Sequence, residues 1–244
     1  MESKLFTPVT FGPLTLRNRT IRSAAFESMC PGNAPSDMLL DYHRSVAAGG
    51  IGMTTVAYAA VTQSGLSFDR QLWMRPEIIP GLRRLTDAIH AEGAAAGIQL
   101  GHCGNMSHKS ICGCMPVGAS SGFNLYSPTF VRGLRADELP EMARAYGRSV
   151  NLAREAGFDS VEIHAGHGYL ISQFLSPSTN HRKDEFGGSL QNRMRFMDMV
   201  MEEVMKAAGN DMAVFVKMNM RDGFKGGMEI DESIQVAKRL LALG

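Results

Sequence analysis

One local pattern recurs along the chain and restricts the folds that the chain can adopt. A segment with helical periodicity ends in glycine, and a run of mostly apolar, β-favouring residues follows within a few positions. The glycines concerned are Gly49 with Gly50, Gly93, Gly157 and Gly209. Glycine is typical of a helix C-terminus, because the chain leaves the helix in a left-handed conformation that glycine adopts without steric cost. Helices and strands that alternate this regularly predict an α/β fold with right-handed crossovers.

The predicted strands are short and almost continuously apolar, which is typical of a parallel sheet buried on both faces. A hairpin-like piece around Gly12 precedes them. Five strands are predicted, at 20–25, 51–57, 95–100, 159–164 and 213–218. Apolar stripes at helical spacing predict the helices between them, the last over 231–243. By the same pattern, Gly244 would cap that helix before a sixth strand.

The composition is that of a soluble globular protein. Of 244 residues, 44% are hydrophobic and 20% are charged, which excludes a disordered or fibrous chain. The formal net charge of +1 argues against electrostatic binding to nucleic acid or to an anionic membrane. No apolar stretch reaches the ~18 residues of a membrane span, and the N-terminus lacks the apolar core of a signal peptide.

The cysteines indicate a reducing compartment. Four cysteines are too few for a disulfide scaffold at this length. Cys112 and Cys114 are separated by one residue, which is not a zinc-binding spacing, and no second pair follows. We therefore expect a reduced, cytoplasmic protein.

The end of the predicted strand 159–164 carries residues suited to acid–base chemistry. His164, His167 and Tyr169 leave the same strand end. The two imidazoles could donate hydrogen bonds to one carbonyl oxygen and stabilise an enolate-like charge, and the phenol could act as a general acid. Two alternatives stay open: a buried histidine followed by two turn residues, and a zinc site with His102 as the third ligand.

Two other polar side chains lie on strands 95–100 and 213–218. Gln99 offers a donor and an acceptor, which suits the edge of a heterocycle, although neighbouring strands could satisfy it equally well. Lys217 is flanked by apolar residues, and that placement is costly unless the ammonium meets an anion or a polar ligand. A solvated strand end is the alternative for Lys217.

Two connections are long, at 101–136 and 165–188, and both follow strand C-termini, where α/β barrels place their chemistry. Connections of such length are usually functional. The segment 180–189, with Asn192, Arg193 and Arg195 beyond it, mixes charges of both signs, which fits either a phosphate or nucleotide patch or an internally paired loop. A Rossmann or P-loop site is not supported, because neither glycine-rich motif follows a strand.

The stretch from Val161 to Phe196 reads V-E-I-H-x-x-H-G-Y-L, then Q-F-L-S-P, N-x-R-x-D-x-F-G-G-S and N-R-x-R-F. It resembles the signature of the old yellow enzyme family, the FMN-dependent NADH:flavin oxidoreductases and ene-reductases. Segments 17–19, 99–104 and 157–159 agree as well, so the resemblance covers essentially the whole chain. Segments 22–25 and 217–219 resemble the 2,4-dienoyl-CoA reductase-like branch in particular.

This resemblance implies a (β/α)8 TIM barrel of the FMN-linked oxidoreductase type. Residues 1–244 would form a single FMN-binding TIM-barrel domain, incomplete at about the first five β/α units. Strands six to eight and the FMN phosphate site are expected beyond residue 244. A 4Fe–4S cluster and FAD are implied only if a C-terminal extension exists.

The resemblance also implies roles for individual residues. The residues that would line or bind the flavin are Ser23, Ala24, Ala25, Ala57, Gln99 and Lys217. Gln99 would bond the pyrimidine edge, and Lys217 would lie near N1 and O2, where a fixed cation stabilises the reduced flavin. His164 and His167 would hold the substrate carbonyl while Tyr169 protonates Cα and flavin N5 gives hydride to Cβ. NAD(P)H would reduce the flavin first, in the same pocket, and no metal is implied.

The expected function is therefore NAD(P)H-dependent reduction of activated C=C bonds, in enones or enoyl thioesters. One alternative is an amine dehydrogenase or demethylase on the same scaffold. The other is a non-catalytic barrel fragment that does not retain FMN. The expected partner is a small-molecule alkene rather than nucleic acid or membrane, and a homo-oligomer stays open.

Overall fold

The computed structural model describes residues 3–244. An antiparallel hairpin precedes a parallel sheet whose strands alternate with helices, and a small second sheet is inserted into the connection after the third parallel strand. The strands are β1 (Val9–Phe11), β2 (Leu14–Leu16), β3 (Ile21–Arg22), β4 (Met53–Ala60), β5 (Ala95–Gly101), β6 (Val117–Gly118), β7 (Gly122–Asn124), β8 (Thr129–Gly133), β9 (Ser160–Ala165) and β10 (Ala213–Met218). The helices are α1 (Asp37–Ala48), α2 (Ile79–Ala91), α3 (Lys109–Cys112), α4 (Leu139–Glu155), α5 (Leu170–Leu175), α6 (Leu190–Ala208) and α7 (Ile230–Leu243).

Five parallel strands form the main sheet, in the order β10-β9-β5-β4-β3. The five strands predicted from the sequence are confirmed. Because all five run the same way, their carboxyl ends lie at one edge. The sheet and its helices are part of a (β/α) barrel, as expected.

Two strand boundaries differ from the prediction. β3 pairs with β4 only at Ile21 and Arg22, so the predicted strand at 20–25 is shorter and residues 23–25 form a loop beyond it. β4 continues to Ala60, and Ala57 therefore lies inside the strand rather than at its end. The pairing of β4 with β5 shifts register between Val56 and Ala59, and such irregularities re-aim side chains near functional sites.

The glycines at the helix ends adopt the left-handed backbone that the sequence pattern predicts. The φ angles are +90° at Gly50, +74° at Gly93, +87° at Gly157 and +59° at Gly209. Each glycine follows α1, α2, α4 or α6 and precedes the next parallel strand. The recurring pattern is thus a set of helix ends that return the chain to the sheet.

The core lies between the helices and the parallel sheet. The predicted stripe on α2 is confirmed, with Leu82, Leu85 and Ile89 almost fully buried. Helices α4 and α6 approach closely at Gly147, where a Cβ atom would lie 3.0 Å from the carbonyl oxygen of Glu203. Within residues 3–244, no helix is both long enough and apolar enough to cross a membrane.

Both long connections contain short elements of their own. Residues 101–136 hold α3 and a three-stranded sheet in the order β6-β8-β7. Residues 165–188 hold α5 and the charged segment. There Arg182 pairs with Asp184 at 2.5 Å and donates to the backbone carbonyls of Ala119 and Leu134. The charged segment is therefore an internally paired loop. Through the hydrogen bonds of Arg182 it connects the inserted sheet with the main domain.

Candidate active site

The structure brings His164, His167 and Tyr169 together at the carboxyl end of β9. The ring centroids of His164 and His167 are 4.9 Å apart, and those of His164 and Tyr169 are 4.8 Å apart. His164 is the penultimate residue of β9, a turn at 166–168 follows, and Tyr169 immediately precedes α5. A strand end and a helix start therefore fix the three rings in one cluster, which we call the imidazole cluster.

The hydrogen bonds and burial of His164 define its protonation state. Its Nδ1 accepts a hydrogen bond from the backbone N–H of Gly166 at 3.2 Å. Burial, with the nearby charges of His167 and Lys217, lowers the pKa of His164 to about 3. The ring is therefore neutral at physiological pH and carries its proton on Nε2, because Nδ1 is an acceptor. Nε2–H is available as a donor to an oxygen atom.

The backbone at His167 is in the left-handed region, with φ at +56°. This conformation is uncommon for a residue with a Cβ atom and is concentrated at functional sites. Asn219, just after β10, stabilises the turn because its Oδ1 accepts the backbone N–H of His167 at 2.9 Å. The His167 side chain is exposed beside the buried His164.

Tyr169 is half-buried and stacks on Tyr58, with 5.2 Å between ring centroids. Burial raises the pKa of the Tyr169 phenol above its ordinary value, so the hydroxyl stays protonated at neutral pH. Tyr58 lies where β4 loses its register with β5, and its own hydroxyl donates to the carbonyl of Gly65 at 2.7 Å. Tyr58 was not predicted from the sequence, although an aromatic residue directly after Ala57, near the carboxyl end of a strand, could have indicated a site residue.

Lys217 lies beside the imidazole cluster, since it is paired in register with His164. Its ammonium donates to the Ser23 hydroxyl at 3.0 Å and lies 3.5 Å from the carbonyl of Ala24. It also lies 3.4 Å from Oε1 of Glu162. Lys217 is thus held by polar groups between β9 and the loop after β3, and the alternative of a freely solvated strand end does not apply.

Glu162 connects Lys217 with Gln99. The amide of Gln99 donates to Oε1 of Glu162 at 2.5 Å, from the paired position on the neighbouring strand. The sequence prediction missed Glu162. The signal was present, because Glu162 and His164 are two residues apart in one strand and therefore point to the same face of the sheet.

The small residues of the site lie around a buried carboxylate. Ala24 packs against Ala57 and Tyr58. Glu27 accepts hydrogen bonds from Arg22 at 2.6 Å and from the backbone N–H of Ala57 at 3.2 Å, while Arg22 also donates to the carbonyl of Ala25 at 3.2 Å. The hydrogen bonds of Glu27 therefore link the loop after β3 with strand β4. Glu27 was not predicted from the sequence.

His102 is held apart from the imidazole cluster by its own partners. Its Nδ1 accepts the backbone N–H of Gly104 at 2.9 Å, and its Nε2 lies 3.1 Å from the hydroxyl of Ser64. In the part of the chain that the structure describes, no three histidine, cysteine or acidic side chains are grouped as metal ligands would be. The alternative of a zinc site that includes His102 therefore gains no support.

Two buried neutral histidines make the stability of the fold sensitive to acid. Burial lowers the pKa of His102 to about 3, as it does for His164. The unfolded chain protonates both near pH 6.5, so stability falls as the pH drops below that value. Lowering the pH from 7 to 5 is expected to reduce the free energy of unfolding by about 2 kcal/mol per histidine. Urea unfolding at pH 7, 6 and 5 measures this loss.

Single histidine variants show which group is responsible. His102→Gln should remove about half of the expected pH dependence, and His164→Gln should remove the other half. His181→Gln is the matched control, because the His181 side chain is exposed. A pH dependence that is the same in all three variants would show that the buried histidines are not its source.

A groove of about 530 Å³ opens next to His167. It lies between the inserted sheet and the 165–188 connection. Its lining includes Tyr126, Asn219 and Phe224. The groove gives the imidazole cluster access to solvent and room for a molecule much larger than a single carbonyl group.

Comparison with known proteins places these features in a family. Residues 4–244 match the model of the NADH:flavin oxidoreductase / NADH oxidase family. The 4,4'-dithiodibutanoate disulfide reductase of Rhodococcus erythropolis is 42% identical over 240 residues, which cover 98% of this chain and 60% of that protein. The NADPH dehydrogenase of Bacillus subtilis is 35% identical, with coverages of 98% and 70%. The chain thus spans about three-fifths of the length of the first relative.

A solved structure gives the same result for the fold. The old yellow enzyme homologue from Zymomonas mobilis superposes with a TM-score of 0.90 at 29% sequence identity. The match covers 99% of this chain and 71% of that structure.

Proposed function

The chain belongs to the NADH:flavin oxidoreductase / NADH oxidase family, and from this premise we propose that it is an FMN-dependent oxidoreductase that uses NAD(P)H to reduce activated C=C bonds. Enones and enoyl thioesters are the proposed substrate class. The observation that carries the proposal is the register pairing of Lys217 with His164. It puts a fixed cation and a neutral imidazole donor side by side at one edge of the sheet.

The residues at this edge fit FMN. Lys217 and Ser23 supply a cation and a hydroxyl 3.0 Å apart, Gln99 supplies an amide, and the side chains of Ala24 and Ala57 are small, which suits the approach of a flat ring. The cation would hold the part of the ring system that becomes anionic on reduction. FMN, when bound, supplies hydride-transfer chemistry. Ala25, which follows Ser23 and Ala24 in the chain, is the last of the residues proposed to contact the flavin.

The imidazole cluster would bind and activate the substrate. Nε2–H of His164 would donate to the carbonyl oxygen of an enone, and His167 would bond the same oxygen from the solvent side. Both contacts strengthen as negative charge develops on that oxygen. Because His164 is neutral, it stabilises this charge without giving up its proton.

Tyr169 would supply the proton. Its raised pKa keeps the phenol protonated, and its ring lies 4.8 Å from that of His164, so we propose that its hydroxyl reaches a substrate whose carbonyl is bound there. Proton donation to Cα is general acid catalysis. The arrangement fits an amine dehydrogenase less well, since neutral N–H donors suit an electron-withdrawing oxygen better than an amine.

The proposal is tested by titrating purified protein with FMN and following fluorescence quenching and the flavin absorption band. Wild type should bind FMN, and Lys217→Ala should bind it about 10–100-fold more weakly, because a hydrogen bond to a charged group contributes ~1.5–3 kcal/mol. Lys217→Arg keeps the charge and should bind close to wild type. NADPH should then bleach the bound flavin, and cyclohexenone should restore it.

Two results would contradict the proposal. Wild type that binds no FMN would support the non-catalytic alternative. Equal FMN affinity and equal reduction potential in wild type and Lys217→Ala would remove Lys217 from the flavin site.

A further inference from the structure

Two cysteines outside the flavin site lie close enough to react with each other. Cys112 ends α3, and its sulfur is 3.9 Å from that of Cys114. A disulfide bond has an S–S length of ~2.05 Å, so side-chain rotations that bring the two sulfurs about 2 Å closer would allow the bond to form. Neither residue has a role in the proposed reduction of alkenes.

The backbone between the two cysteines favours this approach. Gly113 has φ at +75° and caps α3, with its N–H bonded to the carbonyl of Lys109 at 2.9 Å. This left-handed turn reverses the chain directly after Cys112 and brings the side chain of Cys114 back toward that of Cys112. A residue with a Cβ atom would be strained at this position.

The two sulfurs differ in exposure, which suits an accessible attacking cysteine and a buried resolving one. Cys112 is 2% exposed, whereas Cys114 is exposed. Cys114 also lines a groove of about 580 Å³ together with Thr62, Arg132 and Arg148. Within residues 3–244, this groove shares no lining residue with the one beside His167. A small molecule can therefore reach Cys114 without entering the flavin site.

We propose that Cys112 and Cys114 form a thiol–disulfide exchange site for low-molecular-weight disulfides. The Cys114 thiolate attacks one sulfur of a disulfide RSSR, the S–S bond breaks, one RS⁻ leaves and a Cys114–S–S–R mixed disulfide forms. The Cys112 thiolate then attacks the Cys114 sulfur, expels the second RS⁻ and closes the Cys112–Cys114 disulfide. The dithiol loses two electrons and two protons, and RSSR becomes two RSH.

The other two cysteines are internal controls. Burial raises the pKa values of Cys30 and Cys103 to about 12, so neither forms the reactive thiolate at ordinary pH. Partial burial of its sulfur and the neighbouring Cys112 also raise the pKa of Cys114, while Arg132 lowers it. The exchange is therefore best measured at mildly alkaline pH.

The test uses the reduced whole chain with oxidised glutathione, without FMN or a nicotinamide, so its outcome does not depend on the proposed function. Intact-mass spectrometry and peptide mapping should show the loss of two hydrogen atoms and a Cys112–Cys114 crosslink, with no retained glutathione. Cys112→Ser should accumulate the mixed disulfide on Cys114. Cys114→Ser should remain unmodified.

Other outcomes would overturn the proposal. Wild type that keeps four free thiols has no exchange site. Wild type that retains glutathione on Cys114, or that forms a disulfide between two chains, lacks a resolving cysteine. Because wild type alone distinguishes these outcomes, the result does not depend on the folding of a variant.

Discussion

Replacing Arg193 with leucine is expected to lower the free energy of unfolding by about 2–4 kcal/mol, because three acceptors lose their donor and a buried polar group left without a partner costs ~1–3 kcal/mol. Arg193 lies on α6 and is 3% exposed. Its guanidinium donates to the carbonyls of Leu175 and Gly188 and to the carboxylate of Glu232 on α7. Leucine would fill part of the space and satisfy none of these acceptors.

The matched control is Arg195→Leu, two residues further along the same helix. Arg195 is exposed and bonds Asn192 at 3.2 Å, so its loss should change stability by ~0.5 kcal/mol or less. Urea unfolding followed by circular dichroism measures both variants. Equal midpoints for the two variants would show that the buried network around Arg193 does not stabilise the fold.

The hydrogen bonds of Arg193 also affect the candidate site, because they hold the segment of chain that follows it. Arg193 fixes both ends of the segment 175–188, which continues directly from α5 and therefore from Tyr169. Asn180 adds to this, since its amide donates to the carbonyls of Phe174 and Phe186. These internal hydrogen bonds thus support the position of the imidazole cluster.

The parts of the site that could be predicted from the sequence are those determined by strand ends. Parallel strands bring their carboxyl ends to one edge, so polar residues near several such ends meet whatever the details of packing. This is why His164 and Lys217 could be expected to share a site. The helix ends at Gly93 and Gly157 were predictable for a similar reason, because a left-handed residue is a local requirement.

The parts that could not be predicted depend on register and on tertiary contacts. The contact of Glu162 with Gln99 requires the pairing of β5 with β9, which the sequence does not specify. Tyr58 reaches Tyr169 from the irregular part of β4, where the two-residue alternation of a regular strand no longer holds. The sulfur contact between Cys112 and Cys114 depends on the conformation of Gly113, and the sequence alone excluded only a zinc spacing.

Tyr169→Phe is expected to slow the reduction of an enone by about 10²–10⁴-fold, the usual contribution of a positioned general acid. The variant keeps the aromatic ring that stacks on Tyr58 at 5.2 Å, so the cluster should keep its shape. Only the hydroxyl is lost, and with it the proposed donor of the proton to Cα. The measurement is anaerobic stopped-flow of protein reconstituted with FMN, in which flavin reduction by NADPH and its reoxidation by cyclohexenone are recorded separately.

The two half-reactions distinguish a proton donor from a structural residue. Reduction by NADPH requires no proton from Tyr169, so its rate should stay within a few-fold of wild type, whereas reoxidation by cyclohexenone should become slow. Tyr42→Phe, on α1 outside the imidazole cluster, is the matched control and should leave both rates unchanged. An equal loss in both half-reactions would indicate that Tyr169 supports the site without donating a proton. Unchanged reoxidation would mean that the proton comes from another group, such as a water molecule in the groove beside His167. The raised pKa of Tyr169 keeps its hydroxyl protonated, but a protonated hydroxyl need not be the donor.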